Sequence, residues 1–238
     1  MIIMVRKILV FVLAALALAC GPEEGHPDRG EPSAEVSPTD TSAPAVLFLG
    51  TSLTAGMGLA ADEAYPALIE AKIDSAGLGF RVVNAGVSGE TSAGGLRRID
   101  WLLRQQVAVL VLELGANDML RGQDIPAMRA NLQEIIDRTR AAHPDARIVI
   151  AGMRAAPNLG QPYVAEFEAV FPELAAANGA TLIPFLLEGV AGIPELNQPD
   201  GNHPTAEGQA IVAENVWAVL GPILRELEGR GQSGGAPQ

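Results

Sequence analysis

One cysteine is too few for an intramolecular disulfide, so no covalent staple holds this 238-residue chain. Three scattered histidines (His26, His143, His203) and the lack of a His-Glu-x-x-His pattern give no sign of a metal centre. Neither a metal nor an organic cofactor is expected. Only two lysines stand in a chain of net charge −12, which excludes binding to a phosphate backbone, and no nucleic-acid partner is expected. A Gly-Lys-Ser/Thr phosphate loop is missing, as is the Gly-x-Ser-x-Gly elbow of α/β-hydrolases. Gly56-Met57-Gly58-Leu59-Ala60-Ala61 fits Gly-x-Gly-x-x-Ala, but it starts well past the end of the preceding apolar run. The second such run also ends in Asn84, where a dinucleotide site needs an acidic residue. The one long apolar run, residues 8–19, is shorter than the roughly 20 residues a spanning helix needs.

What is present divides unevenly. Arg6 and Lys7, the apolar run and the small residues after it make a secretory signal over residues 1–19. Cys20 follows directly. Leu16-Ala17-Leu18-Ala19-Cys20 resembles the lipobox of bacterial lipoproteins, although Ala17 stands where that pattern has Leu. The resemblance implies that Cys20 is lipidated, which would anchor the chain to a bacterial membrane after export. Residues 21–44 are rich in Pro, Glu, Ser, Thr and Asp, and cannot bury enough apolar surface to offset their ordering entropy. They are expected to form a disordered linker. Most of the negative charge lies beyond it, in an acidic domain over 45–228. A disordered tail is expected over 229–238, where glycine is frequent.

Within 45–228, apolar runs alternate with helical patterns. Strands are expected near 45–50, 80–84, 107–113, 147–152 and 181–184, and helices near 62–77, 92–105, 124–142, 163–178 and 204–227. Asp62 reads as a helix cap, Asp124 precedes Pro126 at a plausible first turn, and His143-Pro144 ends the third helix. Val107-Ala108-Val109-Leu110-Val111-Leu112 is apolar throughout, as suits a central parallel strand covered on both faces. Five β–α units predict an α/β fold, a three-layer α/β/α sandwich on a mostly parallel, flavodoxin-like five-stranded sheet.

Ser52 follows the first strand, Gly86 the second and Asn117 the third. Strand C-terminal ends are neighbours in an open parallel sheet, so these residues can converge. Asp200-Gly201-Asn202-His203-Pro204 precedes the last helix and can return to the same edge. A serine hydroxyl becomes nucleophilic when a base takes its proton, and an imidazole with its ordinary pKa of about 6.5 can do that. Asp200 can fix the imidazole tautomer.

These blocks resemble the GDSL/SGNH hydrolase family, in its thioesterase I/arylesterase branch. Gly50-Thr51-Ser52-Leu53 matches Gly-Asp-Ser-Leu, with Thr51 in place of Asp. Gly86 matches the glycine block, Gly115-Ala116-Asn117-Asp118 the Gly-x-Asn-Asp block, and residues 200–204 the Asp-x-x-His-Pro block. Leu120-Arg121-Gly122 and Ala156-Pro157-Asn158-Leu159-Gly160, followed by Tyr163, also resemble that branch. The resemblance implies an SGNH fold and cleavage of aryl or acyl esters, lysophospholipids or thioesters through an acyl-enzyme. The implied catalytic set is Ser52, Asp200 and His203, with an oxyanion hole of Ser52, Gly86 and Asn117. Asp118 is expected to brace its loop. Met57, Met119, Leu120 and Pro157 are expected to line the substrate site. The alternatives are a carbohydrate O-acetyl esterase and a non-catalytic lipid- or glycan-binding lipoprotein.

Overall fold

The computed structural model describes residues 42–234, without the side chains of Pro157 and 231–234. The expected signal, Cys20 and nearly all of the linker lie outside the described residues. Five strands form one sheet: β1 (Ala45–Gly50), β2 (Arg81–Gly86), β3 (Val107–Glu113), β4 (Arg147–Ala151) and β5 (Thr181–Ile183). Their order is β2-β1-β3-β4-β5 and every pairing is parallel. The helices are α1 (Ser52–Ala55), α2 (Tyr65–Ser75), α3 (Ser92–Leu102), α4 (Ala116–Leu120), α5 (Ile125–Ala142), α6 (Gln161–Asn178) and α7 (Ala206–Gly234).

The period of two along each strand builds three layers. Leu47, Leu49, Leu110, Leu112, Ile148 and Ile150 point to one face, where α3, α5 and α6 supply Ile99, Leu132, Ile136, Phe167 and Phe171. Val46, Phe48, Val109, Val111 and Val149 point to the other, against Tyr65, Ile69 and Ile73 of α2 and Val212, Val216 and Leu220 of α7. β1 is buried along its whole length, which is why its sequence shows no alternation. The strand order reverses beside β1, since β2 lies on one side of it and β3 on the other. Open α/β sheets form their ligand crevices at the carboxyl end of such a point.

Several limits differ from the sequence expectation. α2 starts at Tyr65, not at 62, because Pro66 suits its first turn; Asp62 lies in a separate 3-10 turn, Ala61–Glu63, and caps nothing. In that turn Glu63 accepts the Ala60 N–H at 2.9 Å. Asp124, just before Pro126, caps α5 and accepts from Ala127 N at 3.0 Å. α7 continues to Gly234, so the tail expected from 229 onward is helical for its first turn and more. An i,i+4 pair, Arg230 to Glu226 at 2.6 Å, spans Gly229 there. Among the described residues, no helix is long and apolar enough to cross a membrane.

Candidate active site

β1 ends at Gly50 and the chain turns at once into α1. Thr51 is its N-cap and Ser52 its first residue. His203 comes from the loop before α7. That loop is pinned by an antiparallel bridge between Asn197 and Pro204 and by Gln198 N donating to His203 O at 2.7 Å. Ser52 Oγ stands 2.8 Å from His203 Nε2, and His203 Nδ1 stands 2.6 Å from Asp200 Oδ2. A carboxylate only accepts, so Nδ1 carries the proton and Nε2 is left to accept from the serine. Asp200 Oδ1 accepts the N–H groups of Asn202 at 2.9 Å and His203 at 3.0 Å. Those bonds, led by Asn202 N–H, lower the Asp200 pKa from 3.8 to about 2. Asp200 is therefore ionised at neutral pH.

Sequence patterns gave no hint of the two glutamines that join these loops. Gln198 Nε2 donates to Met57 O at 2.7 Å and Pro204 O at 3.0 Å, tying the His203 loop to the segment after α1. Buried Gln209 on α7 donates to Leu53 O at 3.2 Å and accepts Tyr65 N–H at 2.9 Å. A lone glutamine carries no motif; only the fold reveals what it bridges.

Asn117, on α4, donates from Nδ2 to Glu90 O at 2.9 Å, and its amide keeps a second N–H. Asp118 is 1% exposed and accepts from Ser92 N at 2.8 Å and Ser92 Oγ at 2.6 Å, so it braces the start of α3. Gly86 departs from expectation. It is the last residue of β2 and its N–H is already given to Asn84 Oδ1 at 3.0 Å. Its lack of a side chain serves packing: a Cβ there would sit 2.3 Å from Ala55 N and 2.7 Å from Thr54 C. The glycine free to donate is Gly89, further along the same loop. It has φ +78, which favours glycine, and its N–H has no acceptor among the described residues. Arg121 Nη2 holds the Gly89 carbonyl at 2.8 Å, and Arg98 pairs with Glu90 next to it. A consequence for Gly86 can be checked directly. Gly86→Ala is expected to cost about 1–3 kcal/mol of stability by overpacking backbone. Urea unfolding measures it, and an unchanged midpoint would refute the packing role.

Residues 48–211 match the GDSL-like Lipase/Acylhydrolase family. The chain belongs to this family. It is 39% identical to Esterase TesA of Pseudomonas aeruginosa over 184 residues, 77% of this chain and 90% of that one. It is 36% identical to the thioesterase 1/protease 1/lysophospholipase L1 of Escherichia coli K12, over 77% of this chain and 86% of the relative. A crystal structure of TesA superposes with a TM-score of 0.72 at 38% identity, over 75% of this chain and 99% of that one. The chain is thus a GDSL-type hydrolase on the SGNH fold, as its sequence blocks led one to expect.

In this GDSL hydrolase a cleft of about 410 Å³ opens between Leu53, next to Ser52, and Asn202, next to His203. Met119, Leu120, Met153 and Phe185 give it apolar walls. Arg154 lies 4.3 Å above the Phe185 ring and pairs with Glu188 at 3.3 Å, so the cleft also has a charged side. Met119 and Leu120 are among its lining residues. Met57, 46% exposed, is not. Pro157 opens a 3-10 turn nearby, but its side chain lies outside the described residues. A larger hollow of about 480 Å³, among Pro44, Phe80, His143 and Leu227, sits at the opposite edge of the sheet, before the strands begin. No member of the Ser52 constellation reaches it.

Proposed function

We propose that the protein is a serine ester hydrolase working through an acyl-enzyme on Ser52. The observation that carries this is the relay Ser52 Oγ to His203 Nε2 at 2.8 Å and His203 Nδ1 to Asp200 at 2.6 Å, at the mouth of an apolar cleft. His203 takes the serine proton as Oγ attacks the ester carbon, then gives it to the departing alcohol. Asp200 stabilises the imidazolium that forms between these steps. Water, activated by His203, then releases the acid. The oxyanion is held by the backbone N–H groups of Ser52 and Gly89 and by the second N–H of Asn117. Ser52 N–H opens α1 and has no intrahelical acceptor. Gly89 replaces Gly86 in this role because the Gly86 N–H is already engaged.

The substrate is an acyl ester whose chain lies along Met119, Leu120, Met153 and Phe185. A cleft of about 410 Å³ is far more than an acetyl group fills, which favours aryl and acyl esters over glycan acetates. Lysophospholipids and thioesters carry the same acyl group. For residues 1–44 we propose export and lipidation at Cys20, supported by Arg6, Lys7, the apolar run and the polar linker. The domain would then stand off a membrane surface close to lipid esters.

Hydrolysis of p-nitrophenyl esters from acetate to palmitate tests the substrate. Esters of about six to ten carbons are expected to exceed acetate in kcat/KM by roughly tenfold or more, since one methylene in an apolar pocket is worth about 1–3 kcal/mol. A maximum at acetate would overturn the acyl assignment in favour of deacetylation.

A further inference from the structure

Beneath Ser52 lies a carboxylate that the chemistry above does not use. Glu113 ends β3 opposite Gly50 and is wholly buried. Every hydrogen bond around it is directed at its oxygens. Thr51 N donates to Oε2 at 2.7 Å, Thr51 Oγ1 reaches both oxygens at 3.0 Å, and Thr54 Oγ1 donates to Oε2 at 2.7 Å. Tyr65 OH meets Thr54 Oγ1 at 2.7 Å from behind. With Thr54 donating to Glu113, Tyr65 must be the donor in that last bond. No lysine or arginine pairs with this carboxylate among the described residues.

We propose that Glu113 is a positioning residue for the nucleophile. Its carboxylate holds the Thr51–Ser52 turn so that Ser52 Oγ meets His203 Nε2. The assignment rests on Ser52 being the nucleophile. Thr51 and Thr54 flank Ser52 on both sides in sequence, and both are anchored to the same carboxylate. Thr51 is 1% and Thr54 0% exposed, so neither hydroxyl can turn to water instead. A protonated Glu113 would have to donate, and the hydroxyls around it are already donating to it. Gaining that proton therefore forces Thr51 or Thr54 to turn, directly under Ser52. Where the family pattern has Asp, Thr51 supplies a donor and spares Glu113 a second carboxylate.

Burial raises the Glu113 pKa from 4.5 to about 7, against the lowering effect of the Thr51 and Thr54 bonds. The other groups facing this cluster do not titrate in the same range. Tyr65 on α2 is raised well above its usual 10 by burial, Gln209 on α7 is neutral, and Asp200 beyond Ser52 ionises at about 2. Glu113 must therefore lose its proton before the turn is fully held, in addition to the neutral imidazole that general-base chemistry requires.

The test is the pH dependence of kcat and KM for a p-nitrophenyl ester, with wild type, Glu113→Gln and Ser52→Ala side by side. Wild type is expected to show an acid limb of log(kcat/KM) steeper than one ionisation allows. Glu113→Gln is expected to lose roughly ten- to hundredfold in kcat with little change in KM, as misplacement of a reacting group does, and its limb should relax to a single ionisation. A folded Glu113→Gln with wild-type kcat and an unchanged limb, beside an inactive Ser52→Ala, would overturn the role of Glu113 alone. An active Ser52→Ala would overturn the serine assignment and the role of Glu113 with it. If Glu113→Gln fails to fold, Thr51→Val decides. It keeps the carboxylate and loses one donor to its charged form, so the limb should move to higher pH; an unmoved limb would overturn the proposal.

Discussion

Ser52→Ala is expected to lower ester turnover by about 10⁶, to the level left by binding and the oxyanion donors. The size follows from the relay. Without Oγ there is no atom 2.8 Å from His203 Nε2 to attack the ester. His203→Ala should cost about as much, since an unassisted hydroxyl is a poor nucleophile. The double variant should lose scarcely more than either alone, because the two side chains act as one unit. Asp200→Asn should cost about 10⁴, by letting the imidazole settle in the wrong tautomer. Steady-state hydrolysis of a p-nitrophenyl ester measures all four, with circular dichroism to show that the fold persists. Additive losses in the double variant would mean that Ser52 and His203 serve separate steps.

Asn117→Ala is expected to lower kcat by about 10²–10³ while KM stays nearly constant, as removal of one oxyanion donor does. The ground-state carbonyl gains little from this donor; the tetrahedral oxyanion gains much. One complication has a physical answer. Asn117 also donates to Glu90 O at 2.9 Å, so its loss loosens the loop that carries Gly89. That loop keeps two other ties, Arg121 to Gly89 O at 2.8 Å and Arg98 to Glu90. The loop should therefore stay in place, and the loss should fall on kcat. A large rise in KM with kcat preserved would instead make Asn117 a ground-state contact.

The sheet was legible because its strands are apolar runs of strand length separated by helical periodicity. β3, apolar from Val107 to Leu112, is also central in the sheet. Helix ends were less legible where tertiary structure decides. α7 runs on past Gly229, which the Glu226–Arg230 pair spans, although a glycine-rich stretch reads as a helix end. Asp62 had the right chemistry for a cap, but Pro66 and the Ala61–Glu63 turn placed the helix start beyond its reach. Ser52, Asp200 and His203 could be picked out because their chemistry is tied to residue type and order. Gly86 and Gly89 could not be told apart that way. Both are glycines after the same strand, and what separates them is whether the N–H is already spent, which depends on the Asn84 side chain. Glu113 read as the end of an apolar strand. Its importance comes only from burial under Thr51 and Thr54.

The most direct test of the central claim is covalent. The domain over 45–238 should be treated with a fluorophosphonate, and the adduct located by peptide mass spectrometry. The account predicts one adduct per chain, on the peptide containing Ser52, formed rapidly in wild type and absent from Ser52→Ala. A folded wild-type protein that stays unlabelled, or an adduct on another residue that survives Ser52→Ala, would contradict it.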